Sequence, residues 1–179
     1  GDLTGTLFDG HATYRLNDDN SIWGAIHGSS RAPNFNFLLY QSDYQNFNWQ
    51  NNETFEKQQV QTLTFGFDSK LFGNLEAKYT VMDNYTYFAV DDTLITPEDI
   101  ESNLENAFVR PFQETATINH LKVKYNKEFR YRKWALNNTV MYQNVSQENQ
   151  VLNVPNLVTR NTLYFSSDIF KKAMYLQTG

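Results

Sequence analysis

The stretch QTLTFGFDSKLFGNLEAKYTV, residues 61–81, alternates twice around a turn. Leu63, Phe65 and Phe67 fall on one side of an extended chain. The run from Asp68 to Asn74 turns it, and Leu75, Ala77, Tyr79 and Val81 resume the alternation. Between them stand Thr62, Thr64 and Gly66, then Glu76, Lys78 and Thr80. A period of two residues marks a strand whose faces meet different surroundings. The pattern leaves open whether the apolar face meets a protein core or lipid.

Composition narrows the choice. The chain has 179 residues, of which 16% are aromatic, 40% hydrophobic and 20% charged, too apolar for disorder. It has no cysteine, so a disulfide framework and a Cys-ligated metal site are excluded. A net charge of -5 argues against non-specific nucleic-acid binding, which needs excess Lys and Arg. No apolar run reaches the roughly 18 residues that a spanning helix needs. A spanning strand needs only about 9 to 11 residues of alternating pattern, so a mean hydropathy of -0.60 is compatible with a membrane barrel. The start, Gly1-Asp2-Leu3-Thr4, lacks the basic and apolar regions of a signal peptide.

Alternation predicts nine strands, over 3–16, 21–29, 34–49, 55–69, 74–89, 115–128, 133–146, 157–167 and 172–178. Many exceed the usual soluble strand of about 5 to 6 residues. Among the later strands short connections (70–73, 129–132, 167–171) alternate with longer ones (91–113, 147–155). Tight turns at one end and long loops at the other are the layout of a bacterial outer-membrane barrel. The expected fold class is therefore all-β, an antiparallel transmembrane β-barrel occupying the whole chain as one partial domain.

The faces follow from parity. Leu75, Tyr79, Val81 and Tyr85, with Leu121 and Val123, Trp134 and Tyr142, and Leu163 and Phe165, form the apolar set. It is expected to face lipid, with Trp134, Tyr85 and Tyr142 as interfacial aromatics. Glu76, Lys78, His120, Lys122, Lys124 and Arg160 form the opposite set, expected to line a wet lumen and set the field met by solutes. The same charges could instead simply solvate the inner face or pair across strands, as Glu76 and Lys122 could. A soluble sandwich alternates too, and would bury Leu75 to Tyr79 against a second sheet.

Other motifs carry less. His11, His27 and His120 lie far apart, without a carboxylate at ligand spacing, so neither a metal site nor a cofactor is expected. There is no Gly-x-Ser-x-Gly, P-loop or Gly-x-Gly-x-x-Gly, and no catalytic role is expected. The 91–113 connection, read as an extracellular loop, holds TPEDIESNLENAF at 96–108. Thr96 suits an N-cap, Pro97 the first helical position and Asp99 the positive helix end. Ile100, Leu104, Ala107 and Phe108 recur at helical spacing. Glu98, Asp99, Glu101 and Glu105 could attract cations or merely solvate this loop. Asn52, Asn84, Asn137 and Asn144 begin Asn-x-Ser/Thr triplets, three of them inside predicted strands, which chance in an Asn-rich chain explains.

Particular segments extend the reading. Val154 to Tyr164 (VPNLVTRNTLY), Phe170-Lys171-Lys172-Ala173 and Leu176 to Gly179 resemble the putative porin family of Bacteroidota. So do Phe47 to Asn51, Gln61 to Phe67, Gly73 to Ala77 and Asp83 to Tyr87, in order and at matching spacing; the resemblance covers roughly 33–179. It implies an outer-membrane barrel with a diffusion role. It also implies a chain shorter than the family's members, since nine strands cannot close a barrel of even strand number. The expected partners are the outer-membrane bilayer, small polar solutes and other outer-membrane proteins. A porin-like channel is the leading functional reading. A non-conducting accessory barrel of a larger secretion or uptake complex and a soluble adhesive or carbohydrate-binding domain are the competing ones.

Overall fold

A computed structural model describes residues 4–44, 46–102, 108–171 and 173–179. Eight long strands run up and down in chain order. They are β1 (Thr6–Asn17), β2 (Asn20–Arg31), β5 (Gln58–Ser69), β6 (Gly73–Asp83), β9 (Ile118–Tyr131), β10 (Trp134–Ser146), β11 (Leu157–Ile169) and β12 (Met174–Thr178). Every adjacent pair is antiparallel, in the order β1-β2-β5-β6-β9-β10-β11-β12. Among the described residues this sheet is open, with β1 and β12 at its edges. The remaining elements are α1 (Phe35–Leu38), β3 (Leu39–Tyr40), β4 (Trp49–Gln50), β7 (Tyr85–Val90), α2 (Pro97–Glu101) and β8 (Val109–Glu114); all belong to the long connections.

The connections alternate without exception along the meander. Asp18–Asp19, Lys70–Phe72, Arg132–Lys133 and the Phe170–Ala173 turn lie at one end. Segments 32–57, 84–117 and 147–156 lie at the other. Short turns close by backbone geometry that few residues adopt. Gly73 has φ +87°, and a Cβ there would stand 2.3 Å from the Asn126 carbonyl oxygen, so the start of β6 requires glycine.

Three expectations are corrected. Segment 34–49 is not a strand, because its asparagines take the backbone's hydrogen bonds. Asn34 caps α1 by accepting from the Asn36 N–H at 3.0 Å, Asn48 accepts from the Ser42 N–H at 2.8 Å, and the Asn51 amide donates to the Phe37 carbonyl at 3.0 Å. Second, the strand over 74–89 breaks at Asn84, which is left-handed at φ 57°. Asparagine tolerates that conformation, and its side chain donates to the Lys57 carbonyl at 3.1 Å. Beyond it, β7 leaves the main sheet and pairs with β8 as a separate ribbon; the wall has eight strands, not nine, because segment 34–49 contributes none. Third, the connection expected over 91–113 extends in the wall from 84 to 117 and carries β7 and β8 as a ribbon of its own.

Among the described residues the core of a soluble domain is missing. A soluble monomer of 20.9 kDa exposes roughly 9,000 Å²; this chain exposes 12945 Å². Only Leu38, Ile118 and Ala135 are buried apolar residues among those described. No second sheet covers Leu75 or Tyr79, both exposed, which removes the soluble sandwich.

Candidate functional site

Residues directly opposite in an antiparallel pair share a face, so the register sorts the whole wall. Phe65, Ala77, Val123, Tyr142 and Leu157 form one row across β5, β6, β9, β10 and β11. Phe67, Leu75, Tyr125 and Val140 form the next. Leu63, Tyr79 and Leu121 form a third, and Trp134, Leu136, Leu163 and Phe165 lie on the same face. Most of these side chains are exposed despite their apolarity, Phe65 at 60%, Leu163 at 56% and Trp134 at 50%, while Phe67, Ala77, Val123 and Phe165 are half-buried.

The other face is polar and more enclosed. Thr62 and Thr80 face each other with hydroxyls 3.2 Å apart and are 9% and 8% exposed. Beside them His120 Nε2 lies 3.3 Å from Gln143 Oε1, and the Gln143 amide donates to the Pro155 carbonyl at 2.8 Å. Toward the turn end, the Asn126 amide donates to Asn137 Oδ1 at 2.9 Å and to Thr139 Oγ1 at 2.8 Å, while Glu128 accepts from the Tyr164 hydroxyl and the Arg130 guanidinium. Asn126, Asn137, Thr139, Arg160, Thr162 and Tyr164 help line a concavity of about 780 Å³ there.

The register brings Glu76, Lys78, His120, Lys122, Lys124 and Arg160 onto this polar face, on β6, β9 and β11. It puts Leu75, Tyr79, Val81, Leu121, Val123, Trp134, Tyr142, Leu163 and Phe165 on the apolar one. Tyr85, expected beside them, opens β7 outside the sheet, because the Asn84 break precedes it. Lys78 stands directly opposite Lys122, and Glu76 directly opposite Lys124. The Glu76 carboxylate lies 3.5 Å from Lys122 Nζ, the diagonal neighbour.

Several polar-face residues escaped the sequence reading. His27 Nδ1 lies 2.6 Å from Asp9 Oδ1, and the His11 and Trp23 rings lie 5.7 Å apart. The Trp23 indole covers Gly66, directly opposite, where an added Cβ would come within 1.9 Å of the ring. The signal was present in β1 and β2, as Asp9, His11, Thr13 and Arg15 against Phe8, Ala12 and Tyr14. Leu7 and Trp23 on the polar side and Gly10, Gly24 and Gly28 on the apolar side blurred it. Among the described residues no three His, Cys, Asp or Glu come together at a metal-holding distance.

At the long-loop end the connections tie to one another. Gln113 exchanges two hydrogen bonds with the backbone of Glu56 (2.8 and 2.9 Å), and Glu114 accepts from the Asn149 amide at 2.9 Å. Phe37 stacks on Phe88 at 4.6 Å, and Tyr40 on Trp49 at 5.0 Å. In α2 the capping box forms as expected. The Thr96 hydroxyl accepts from the Asp99 N–H at 3.3 Å, and Asp99 Oδ2 accepts from the Thr96 N–H at 2.9 Å. The Thr96 hydroxyl also donates to Asp99 Oδ2 at 2.5 Å, and this bond, with the one from the Thr96 N–H, holds the Asp99 carboxyl below the usual carboxylate range. Leu104, Glu105 and Ala107, expected to continue this helix, lie outside the described residues.

No helix among the described residues is long and apolar enough to cross a membrane, which bears only on helices. Neither curated proteins nor solved structures show a significant match to the chain. The family model described as "Putative porin" matches residues 1–179, including the first thirty that its motifs leave unmarked, and the chain belongs to that family of β-barrels.

Proposed function

We propose that this chain forms wall of an outer-membrane channel through which small polar solutes diffuse passively, without catalysis. The observation that carries the reading is the inversion of the sheet. Apolar side chains such as Phe65, Trp134 and Leu163 are outermost, and polar ones such as Thr62, Thr80 and Gln143 are enclosed. Water would penalise the first arrangement at about 25 cal/mol per Å² of apolar surface, whereas hydrocarbon does not. A lipid-facing belt with a wet inner face is the arrangement of a spanning barrel. Family membership supports a porin-like role, and the polar face supplies hydroxyls, amides and charges to a water-filled path.

The test is liposome swelling with full-length protein and neutral sugars of rising size. Swelling that slows with solute size is the expected result. Protein that is folded, by heat-dependent gel mobility, yet leaves every liposome tight would overturn the channel and leave a non-conducting accessory barrel.

A further inference from the structure

We infer that the path favours small anions, carboxylates and phosphates, over cations; this inference rests on the channel reading above. Four cations, Lys78, Lys122, Lys124 and Arg160, stand on the polar face of β6, β9 and β11. The neighbouring carboxylate in this strip, Glu76, is engaged by Lys122 at 3.5 Å. Glu128, on the same face, is occupied by Tyr164 and Arg130. Among the described residues Lys78, Lys124 and Arg160 form no ion pair.

The placement runs against local stability. Like charges directly opposite in a sheet destabilise it, yet Lys78 and Lys122 occupy such positions, with Lys124 two residues along the same strand. A face that needed only to be wetted would be served by the threonines and asparagines of its other rows. The strip also opposes the chain's overall sign: on the polar face of β6, β9 and β11, Lys78, Lys122, Lys124, Arg130 and Arg160 outnumber Glu76, Glu128 and Asp168, with Asp68 on the neighbouring β5 in the row that runs to Arg160, within a net charge of -5. Many of the acids lie instead in turns and loops, among them Asp18, Asp43, Glu53, Asp92, Glu98 and Glu148. Screening confines each charge to about 8 Å at physiological salt, so a passing ion meets the strip rather than the distant loops. A low-dielectric wall concentrates that field on the path.

The experiment is the reversal potential of full-length protein in a planar bilayer under a potassium chloride gradient. The expected result is a chloride-to-potassium permeability ratio of roughly 10, the lower end of such electrostatic focusing. The double variant Lys78→Glu with Lys124→Glu should invert it, with heat-dependent gel mobility checking the fold and the milder Lys78→Gln lowering the ratio part way. Replacing chloride by acetate or by inorganic phosphate shows which anion class the strip passes faster. A channel that prefers potassium, or whose preference ignores all these variants, overturns the anion inference while leaving the channel intact. Silence from folded protein overturns both.

Discussion

The two faces of one sheet obey opposite rules. On one, Phe65, Tyr79, Leu121 and Leu163 are apolar and exposed; on the other, Thr62, Thr80 and Gln143 are polar and buried. In water such a sheet would place its least soluble groups outermost, and hydrophobic burial, the main favourable contribution to folding, would be missing. The strands themselves are ordinary: their hydrogen bonds, register and hairpins are those of any antiparallel meander. What differs is the solvent for which each face is built. Even the apolar side chain most completely enclosed, Ile118, sits on the polar face, at the end where the long connections gather.

The strongest way to break the contrast is to charge the exposed face. Val123 has Ala77 and Tyr142 as its direct neighbours, whereas Val81 lies between Gln61 and Asn119, at the edge of the apolar band. Val123→Lys should therefore destabilise the barrel in lipid vesicles by about 2 to 4 kcal/mol, and Val81→Lys by about 0 to 1. Denaturant unfolding of both variants in bilayers measures the difference. Equal, small costs would mean that water, not hydrocarbon, bathes this face.

A smaller effect is expected on the polar face at Gly66. Its position in the strand is filled from across the ladder by the Trp23 indole, with which a Cβ would collide at 1.9 Å. Gly66→Ala should cost about 1 to 3 kcal/mol through overpacking. Gly66→Ala combined with Trp23→Phe should recover part of it. A Gly66→Ala protein as stable as the parent would show that the indole moves aside freely and that this face is loosely packed.

How much of this was legible in the sequence follows from the same alternation. Where both parities are pure, as in Leu75–Val81 and Leu121–Tyr125, the register reproduces the face of every residue. Where a small residue stands on the apolar side and a large aromatic opposite, as at Gly24 and Trp23, parity loses its contrast. The alternation could not reveal Asn84. It fits the pattern of a continuing strand, and only its left-handed backbone, fixed by contacts to Lys57 and Gln113 far away in sequence, turns β7 out of the wall. Likewise Phe47-Asn48-Trp49 alternates in sequence, but the bonds that bend segment 34–49 come from asparagine side chains whose partners are set by the fold. The cap of α2 was readable because Thr96, Pro97 and Asp99 act within four residues of chain.

That cap gives the smallest effect, one that leaves both faces of the wall untouched. Asp99 accepts from the Thr96 hydroxyl and N–H, which holds its carboxyl below the usual range. A carboxyl lowered in the folded state contributes its stability above the ordinary carboxylate pKa and loses it as pH falls through the folded value. The amide protection of α2 should thus be flat from neutral pH down to the ordinary carboxylate range and fall only in more acid solution. The middle of β5 and β6 should keep theirs, because Thr62 and Thr80, which join them on the polar face, do not titrate. Hydrogen exchange at Ile100 and Ser102 follows the loss, and Thr96→Ala should weaken the pH dependence by removing the side-chain bond, the larger of the two that lower the pKa, while the Thr96 N–H bond stays. If protection of α2 and of the middle of β5 around Thr62 declined together, the loop would be cooperative with the wall, and the division between a wall built for two solvents and a separately held rim would fail.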